Sequence, residues 1–200
     1  MLPALPPTVQ DELSQLSQLY GQPLERVVDL NAREPFDPIS KKDRYGEVCM
    51  VVRRPSGLLL TMKKTYYPPN GYRLLTGGIN HGESVFAALL RETEEETGLQ
   101  VATRRFLASA AYRLNSDSTQ PAFYTFAFLL DELNGKLEAL DESERVEAFR
   151  EITPAELVTM AEQLEHIDAK ESAEIGGNWR DWGRFRAVIH RLVWEALQTE

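Results

Sequence analysis

Alternating apolar and polar stretches divide the chain into predicted strands and helices. Two runs are almost wholly apolar, at residues 48–52 and 122–130. Such runs are typical of strands buried on both faces, because a half-exposed strand would carry a polar residue at every second position. Shorter runs between turn residues indicate the other strands. The predicted strands cover residues 24–30, 45–54, 58–64, 72–75, 100–113, 122–130 and 144–152.

Four segments carry apolar residues at helical spacing and predict helices at residues 8–20, 85–97, 153–166 and 179–197. The second helix is expected to begin after Ser84, because serine is a favourable N-cap. It is expected to end before Gly98, because glycine readily adopts the left-handed conformation that terminates helices.

The two C-terminal helices have signals of their own. Thr153 and Pro154 favour a helix start, as N-cap and first helical residue, and residues 167–178 are predicted to form a loop. His166 and His190 are interpreted as helix-surface residues. The last helix is expected to bury a stripe that consists of Trp182, Phe185, Ile189, Leu192 and Val193.

The order of these elements predicts a mixed α/β fold in a single domain. The proline-rich residues 1–7 are expected to be mobile. A pair of glycines, Gly77 and Gly78, is predicted to form a turn between the strand at 72–75 and the helix at 85–97.

Composition narrows the classes of function. The formal net charge is −9 and the isoelectric point is near 5.0, which argues against a nonspecific binder of nucleic acid or anionic membranes. No apolar run is long enough to span a membrane, and the start of the chain lacks the basic region of a signal peptide. The single cysteine, Cys49, is interpreted as a buried core thiol. Because no intrachain disulfide can form, a reducing, cytoplasmic location is expected.

Three glutamates fall on one face of the predicted helix 85–97. At about 100° per residue, Glu92, Glu95 and Glu96 lie in one sector, where like charges repel one another. A divalent cation at that face would turn the repulsion into binding. Magnesium takes oxygen ligands from carboxylates, water and substrate phosphates. The spacing therefore predicts a metal site on this helix.

The segment 77–99 resembles the Nudix box. That pattern is a glycine, five residues, a glutamate, seven residues, Arg-Glu, an apolar residue, one residue, Glu-Glu, one residue, a glycine and an apolar residue. Thr93 departs from it, because a larger apolar residue is usual at that position. The residues in register are Gly77, Glu83, Arg91, Glu92, Glu95, Glu96, Gly98 and Leu99.

The resemblance implies a Nudix fold, in which a mixed β-sheet is sandwiched between α-helices, over about residues 44–153. Residues 1–43 would then be an N-terminal extension, and residues 154–200 would add two C-terminal helices packed on the core. The extension is expected either to make homodimer contacts or to pack on the chain's own core.

The implied function is that of a Mg²⁺-dependent hydrolase, with Mn²⁺ as an alternative ion. It would cleave the pyrophosphate bond of a nucleoside diphosphate linked to another group. The substrate would be a small nucleotide, with neither a nucleic acid nor a membrane as partner. The marker residues of particular substrate types do not select one here. The alternative function is a Nudix-fold sensor that binds such a nucleotide without turnover.

The resemblance also assigns catalytic roles within the box. Glu92, Glu95 and Glu96 are expected to hold the metal, and Glu92 is also a candidate for orienting or activating the water. Glu83 is expected to ligate through water or to fix the loop, and Arg91 to pair with a box glutamate and hold it in place. Gly77 and Gly78 would let the backbone approach the metal or phosphate, because a side chain there would clash.

Residues outside the box are assigned by their position in the sequence. Arg73, beside the glycine pair, is a candidate phosphate contact. Tyr66 and Tyr67 are expected either to stack on a nucleobase or to anchor their proline-rich loop. The general base is expected among three glutamates on a later loop: Glu142, Glu144 and Glu147.

Overall fold

The structure, a computed structural model, describes residues 5–32 and 34–199. The predicted mobility of residues 1–7 lies partly outside the described residues, at positions 1–4. It is wrong for Leu5, whose side chain is 5% exposed and belongs to the same apolar cluster as Leu16.

Seven strands in the described part of the chain form one mixed sheet. They are β1 (Leu24–Asp29), β2 (Arg44–Arg53), β3 (Leu59–Lys64), β4 (Arg73–Asn80), β5 (Leu99–Arg113), β6 (Phe123–Gly135) and β7 (Val146–Ile152). Their order in the sheet is β1-β5-β6-β2-β4-β3-β7. The pairs β1–β5 and β2–β6 are parallel, and the other neighbours are antiparallel.

Helices cover both faces of this sheet, so the predicted mixed α/β sandwich is confirmed. They are α1 (Pro7–Tyr20), α2 (Val85–Thr97), α3 (Glu156–Glu165) and α4 (Trp179–Leu197). Apolar residues of α1 and α2 join one core cluster, and those of α3 and α4 join the other. Every residue of the stripe predicted for α4 is at most 3% exposed, which confirms that prediction.

The central strand β2 shows why the sheet needs helices on both sides. Val48, Met50 and Val52 face the cluster with α1 and α2, while Cys49 and Val51 face the cluster with α3 and α4. All five side chains are fully buried. The apolar run is therefore a doubly buried strand, as predicted, and Cys49 is a core thiol.

Buried polar contacts join α4 to the sheet. Arg186 Nη1 donates to both carboxylate oxygens of Glu47, at 2.7 and 2.9 Å, and to Thr76 Oγ1 at 3.0 Å. The interpretation of His190 as a surface residue is wrong, because its side chain is fully buried and its Nε2 accepts a hydrogen bond from the Leu74 backbone N–H at 2.9 Å.

The predicted glycine turn is also wrong. Gly77 and Gly78 lie inside β4, where they pair with Val48 and Glu47 of β2. The strand continues to Asn80 and then turns into α2. The glycines are therefore held by the sheet, with the box helix packed against the same strand.

Several other boundaries differ from the predictions, and β6 in particular continues to Gly135 instead of ending at residue 130. Regular helix α3 begins at Glu156 rather than directly after Thr153. The Glu156 carboxylate nevertheless accepts hydrogen bonds from the Thr153 backbone N–H at 2.7 Å and hydroxyl at 2.8 Å, the contact expected when Thr153 is an N-cap. The predicted loop 167–178 contains a small ribbon of β8 (Glu171–Ser172) and β9 (Gly177–Asn178). Among the described helices, none combines the length and apolar character needed to cross a membrane.

Candidate active site

Local caps fix the box helix α2 at both ends. Ser84 Oγ accepts a hydrogen bond from the Ala87 backbone N–H at 3.1 Å. Gly98 adopts the left-handed conformation, with φ of 66°, and its N–H donates to the Glu94 carbonyl at 2.8 Å. The predicted helix bounds, 85–97, are confirmed.

The two glycines of β4 make room for two charged side chains. A Cβ on Gly77 would lie 2.2 Å from the Oε2 and Cδ atoms of Glu92, so the Glu92 carboxyl group rests directly on the strand. A Cβ on Gly78 would lie 1.9 Å from Nη1 of Arg44. In this structure the absent side chains therefore admit Glu92 and Arg44 to the backbone of β4.

Arg91 is the centre of the acidic cluster. Its Nε and Nη2 donate to the two carboxylate oxygens of Glu83, at 2.7 and 2.8 Å. Its Nη1 donates to Glu92 at 2.8 Å and to Glu95 at 2.9 Å, and its Nη2 also reaches the Gly78 carbonyl at 3.0 Å. One guanidinium thus joins three glutamates of the box to the glycine strand.

Glu96 has a different environment from the other box glutamates. Its side chain is completely buried, and neither carboxyl oxygen has a hydrogen-bond partner in the described part of the chain. The Lys64 ammonium lies 3.8 Å from Glu96 Oε1 and binds Glu144 at 2.6 Å. A buried carboxylate without direct hydrogen bonds is costly, and it needs a positive charge or a proton.

The pKa shifts follow from these surroundings. Burial raises the pKa of Glu96 to about 8, although Lys64 and Arg73 oppose the rise. Burial also raises the pKa of Glu92, against the effect of Arg91. Burial opposes ionisation of Glu144 as well, but the charge of Lys64 and its hydrogen bond outweigh that effect, and the pKa of Glu144 lies below its usual value.

The donor set suits a hard divalent cation. Carboxylate oxygens are the side-chain ligands that magnesium and manganese prefer, and the two unsatisfied oxygens of Glu96 are available to one. In the described residues, no three acidic, histidine or cysteine side chains already converge as a metal cage. Two of the proposed ligands, Glu92 and Glu95, are paired with Arg91 instead.

Of the three candidate general bases, the structure brings Glu144 to the box. Glu144 lies in a short 3-10 helix (Glu142–Glu144). The loop before it docks on α2, where the Leu140 N–H donates to the Glu95 carbonyl at 2.8 Å. Glu142 is exposed, and Glu147 pairs with Lys63 at 2.8 Å.

Two of the predicted substrate contacts are internal instead. The Arg73 side chain is 2% exposed and donates to the Tyr67 hydroxyl at 3.0 and 3.1 Å and to the Leu74 carbonyl at 2.7 Å. Tyr67 is also buried, with its ring edge-on to Trp182 at a centroid distance of 4.7 Å. The buried Arg73 side chain does not support the predicted phosphate contact. Tyr67 fits the alternative prediction, in which the ring anchors its proline-rich loop.

Tyr66 remains accessible to a ligand. It is half-buried and lines a cleft of about 630 Å³. The Arg145 guanidinium lies 4.4 Å from the Tyr66 ring centroid. Arg145 directly follows Glu144 in the chain, so Tyr66 is in contact with the neighbour of the candidate base. Its other lining residues include Asn70, His166, Lys170 and Trp179.

Sequence reasoning missed Arg44 and undervalued Lys64. Arg44 precedes Gly78 by 34 positions, and its place over the glycine depends on the pairing of β2 with β4. Its Nε and Nη2 are held by both carboxylate oxygens of Asp43, each at 2.9 Å. Lys64 is the last residue of β3, where a solvated charge is ordinary, but its side chain is 13% exposed and lies between Glu96 and Glu144.

Comparisons with known proteins agree with the box. The sequence profile of the NUDIX domain matches residues 44–174. The chain is 33% identical over 110 residues to the NAD-capped RNA hydrolase NudC of Haemophilus influenzae (strain PittGG), across 52% of this chain and 39% of that protein. The NudC of strain Rd gives the same identity over 106 residues, 50% of this chain and 38% of that protein. The chain thus spans about two fifths of the length of these relatives.

Solved structures of similar fold have low sequence identity. A UDP-X diphosphatase is 17% identical, with a TM-score of 0.49, over 81% of this chain and 67% of that one. An ADP-ribose pyrophosphatase from Streptococcus suis 89-1591 is 16% identical, with a TM-score of 0.46, over 78% and 92% of the respective chains.

Proposed function

The chain belongs to the Nudix family, and on that basis we propose that it cleaves the pyrophosphate bond of a nucleoside diphosphate linked to another group, using Mg²⁺ or Mn²⁺. Hydrolysis of a pyrophosphate bond is the general activity that the family supports. The identity of the ion, the substrate and the roles of individual residues are the proposed part.

One observation carries the proposal. Glu96 is fully buried, its two oxygens lack hydrogen-bond partners among the described residues, and its nearest cation, Lys64, is shared with Glu144. Burial disfavours the ionised form of the Glu96 carboxyl group even with Lys64 and Arg73 nearby, and a bound divalent cation would favour that form. A structural core would replace such a group with an apolar residue, whereas a cation-binding site requires it.

The proposed ligands are Glu92, Glu95 and Glu96, with Glu83 contributing through water or through its hold on the loop. When bound there, a divalent ion supplies charge neutralisation for the phosphate oxygens and acidity for a water molecule. Arg91 has a positioning role, because it fixes Glu83, Glu92 and Glu95 relative to the Gly78 carbonyl. Gly77 contributes by leaving space for the Glu92 side chain.

Two residues outside the box complete the proposed chemistry. Glu144 is the proposed acceptor of the proton from the attacking water, because it lies beside Glu96 and the Lys64 ammonium keeps it ionised. Arg44 is the proposed phosphate contact in place of Arg73. Its Nη1 lies over Gly78, and Asp43 holds the plane of the guanidinium.

The cleft beside Tyr66 is the proposed site for the group carried by the diphosphate. An aromatic ring next to a guanidinium suits a flat, polar ligand such as a nucleobase. Tyr67 supports the floor of this cleft from inside and is not itself expected to stack on the ligand.

A substrate panel tests the function and its alternative together. Purified protein is incubated with NADH, ADP-ribose, UDP-sugars, diadenosine polyphosphates and NAD-capped RNA, with and without Mg²⁺, and product release is measured. The proposal expects Mg²⁺-dependent release from at least one small nucleotide. The RNA arm is included because of the names of the relatives, and the net charge of −9 favours the small substrates over it. Tight binding without turnover on the whole panel would replace the hydrolase with the sensor.

The cellular compartment and the oligomeric state of the protein are separate proposals. Cys49 is the single cysteine and is fully buried, which is compatible with a reducing, cytoplasmic compartment. A homodimer through the N-terminal extension stays a prediction, and light scattering during gel filtration measures it directly.

A further inference from the structure

A glutamate of the N-terminal helix caps the box helix. Glu12 of α1 accepts a hydrogen bond from the Val85 N–H at 3.0 Å through Oε2, and another from the Phe86 N–H at 2.9 Å through Oε1. These are the first two residues of α2. Both carboxylate oxygens of one residue are thus committed to the start of a helix more than seventy positions away.

The Glu12 carboxylate supplies hydrogen-bond acceptors that the box sequence itself does not supply for the start of α2. The first backbone N–H groups of a helix have no partner within the helix, and together they carry partial positive charge. Ser84 satisfies the Ala87 N–H. The N–H groups of Val85 and Phe86 donate hydrogen bonds to the carboxylate of Glu12. Glu12 lies outside the part of the chain that matches the family profile.

A neighbouring ring contact places α1 firmly against the same end of α2. The rings of Tyr20 and Phe86 stack with centroids 5.8 Å apart and an interplanar angle of 13°. Tyr45, on β2, is partly buried, and burial together with the charges of Glu12 and Glu83 raises its pKa to about 12. The Glu12 carboxylate and the loop that carries Glu83 therefore lie at the same end of α2.

The capped end is connected directly to the acidic cluster. Glu83 lies two residues before Val85, and its carboxylate accepts from the Asn80 N–H at 3.0 Å and from Arg91 at 2.7 and 2.8 Å. A shift of the helix start would move Glu83, and Arg91 would transmit the change to Glu92 and Glu95.

We propose that Glu12 is a positioning residue for the catalytic helix: its carboxylate fixes the first turn of α2 so that Glu83 and Arg91 hold the box glutamates in place. The N-terminal extension is then part of the active site's construction. The metal readout below rests on the proposed function, whereas the structural readouts do not.

The test compares Glu12→Ala and Glu12→Gln with Asp11→Ala in the full-length protein. Asp11 is an exposed acidic residue of the same helix turn, so its variant controls for the loss of charge and of an α1 carboxylate. Three quantities are measured: amide exchange at Val85 and Phe86, the Arg91 Nε–H resonance, and the Kd for Mn²⁺ without substrate. Thermal unfolding establishes that each variant is folded.

The proposal expects faster exchange at both amides, a shifted Arg91 resonance and an increase of about tenfold in the Mn²⁺ Kd for Glu12→Ala. Glu12→Gln keeps one acceptor oxygen and should fall between, at about threefold. Asp11→Ala should match the parent protein in all three.

Two results would overturn the proposal. Unchanged exchange at Val85 and Phe86 would show that Glu12 does not cap the helix in solution. Faster exchange with an unchanged Arg91 resonance would show a local cap without a positioning role. If the parent protein bound no Mn²⁺, the proposed function would fail. Amide exchange at Val85 and Phe86 and the Arg91 resonance would still decide the role of Glu12.

Discussion

The carboxyl group of Glu92 occupies the space that a side chain at Gly77 would need. A Cβ built on Gly77 lies 2.2 Å from Cδ, Cγ and Oε2 of Glu92, well below any contact distance that real Cβ atoms show. Glu92 is on α2 and Gly77 is on β4, so one glycine sets how closely a charged side chain of the helix approaches the strand. The glycine is explained by the glutamate rather than by a turn.

Substitution of this glycine should therefore reduce activity far more than stability. In Gly77→Ala the flexible end of Glu92 must move, and about a hundredfold loss in kcat/KM is expected from a displacement of about 1 Å at a reacting site. The free energy of unfolding should change by about 1 kcal/mol or less, because β4 itself need not shift. Hydrolysis assays and urea denaturation measure the two effects.

Gly78→Ala is the matched comparison, because it displaces Arg44 instead of Glu92. If Arg44 contacts the substrate phosphate, this variant should raise KM while the dependence on metal concentration stays unchanged. A Gly77→Ala protein with full activity would show that the position of Glu92 does not matter to the reaction.

Arg91 should not be replaceable by lysine. A single ammonium cannot bond at once to Glu83, Glu92, Glu95 and the Gly78 carbonyl, whereas the guanidinium does so in the structure. Arg91→Lys is expected to lower activity by about tenfold to a hundredfold. The control is Arg104→Lys, at an exposed pair with Asp131, which should leave activity unchanged. Equal activity of Arg91→Lys and Arg104→Lys would show that the guanidinium of Arg91 is not needed for activity.

Because of its buried His190 side chain, the folded protein should lose stability in mild acid. Burial lowers its pKa to about 4, against 6.5 for an ordinary histidine, and the charges of Arg73 and Arg186 add to the effect. Between these values the unfolded chain binds a proton that the folded chain excludes. The contribution of neutral His190 is therefore complete above about pH 6.5 and is lost as the pH falls towards 4, by about 3 kcal/mol in total.

Denaturation curves from pH 4 to 7 test this dependence. The parent protein is compared with His190→Gln and with His166→Gln, which replaces an exposed histidine. The slope attributable to His190 should disappear in the first variant and persist in the second. Because other groups titrate equally in all three proteins, the differences isolate the histidine. An identical pH dependence in the parent and His190→Gln would contradict the account.

Local sequence signals predicted the box helix to the residue. Ser84 and Gly98 act on backbone groups within a few positions of themselves, so helix ends could be inferred without knowledge of the fold. The doubly buried strand around Cys49 was predicted for the same reason, since a continuous apolar run reports burial on both faces.

Contacts between distant parts of the chain could not be predicted in this way. Lys64 and Glu144 meet because β3 lies between β4 and β7 in the sheet. The local sequence of neither strand indicates that order. Glu12 reaches α2 only once α1 has packed on the same face. Arg73 was placed at the site because it is adjacent to the glycines in sequence, but its side chain points into the core.

His190 is the one misassigned residue for which a signal existed. It lies four residues after Arg186 and eight after Trp182, so it shares their side of α4. Both of those side chains are buried. The helical spacing therefore indicates burial of His190, although histidine is a polar residue.

The proposed hydrolysis depends on a catalytic cation held by the buried carboxylate of Glu96. Glu96→Gln tests it most directly when compared with Glu94→Gln, an exposed neighbour on the same helix. With the substrate that the panel identifies, the rate is measured as a function of Mg²⁺ concentration. The account predicts about a hundredfold loss of the Mg²⁺-dependent rate in Glu96→Gln and no loss in Glu94→Gln. Equal rates and equal Mg²⁺ dependence in the two variants would contradict it.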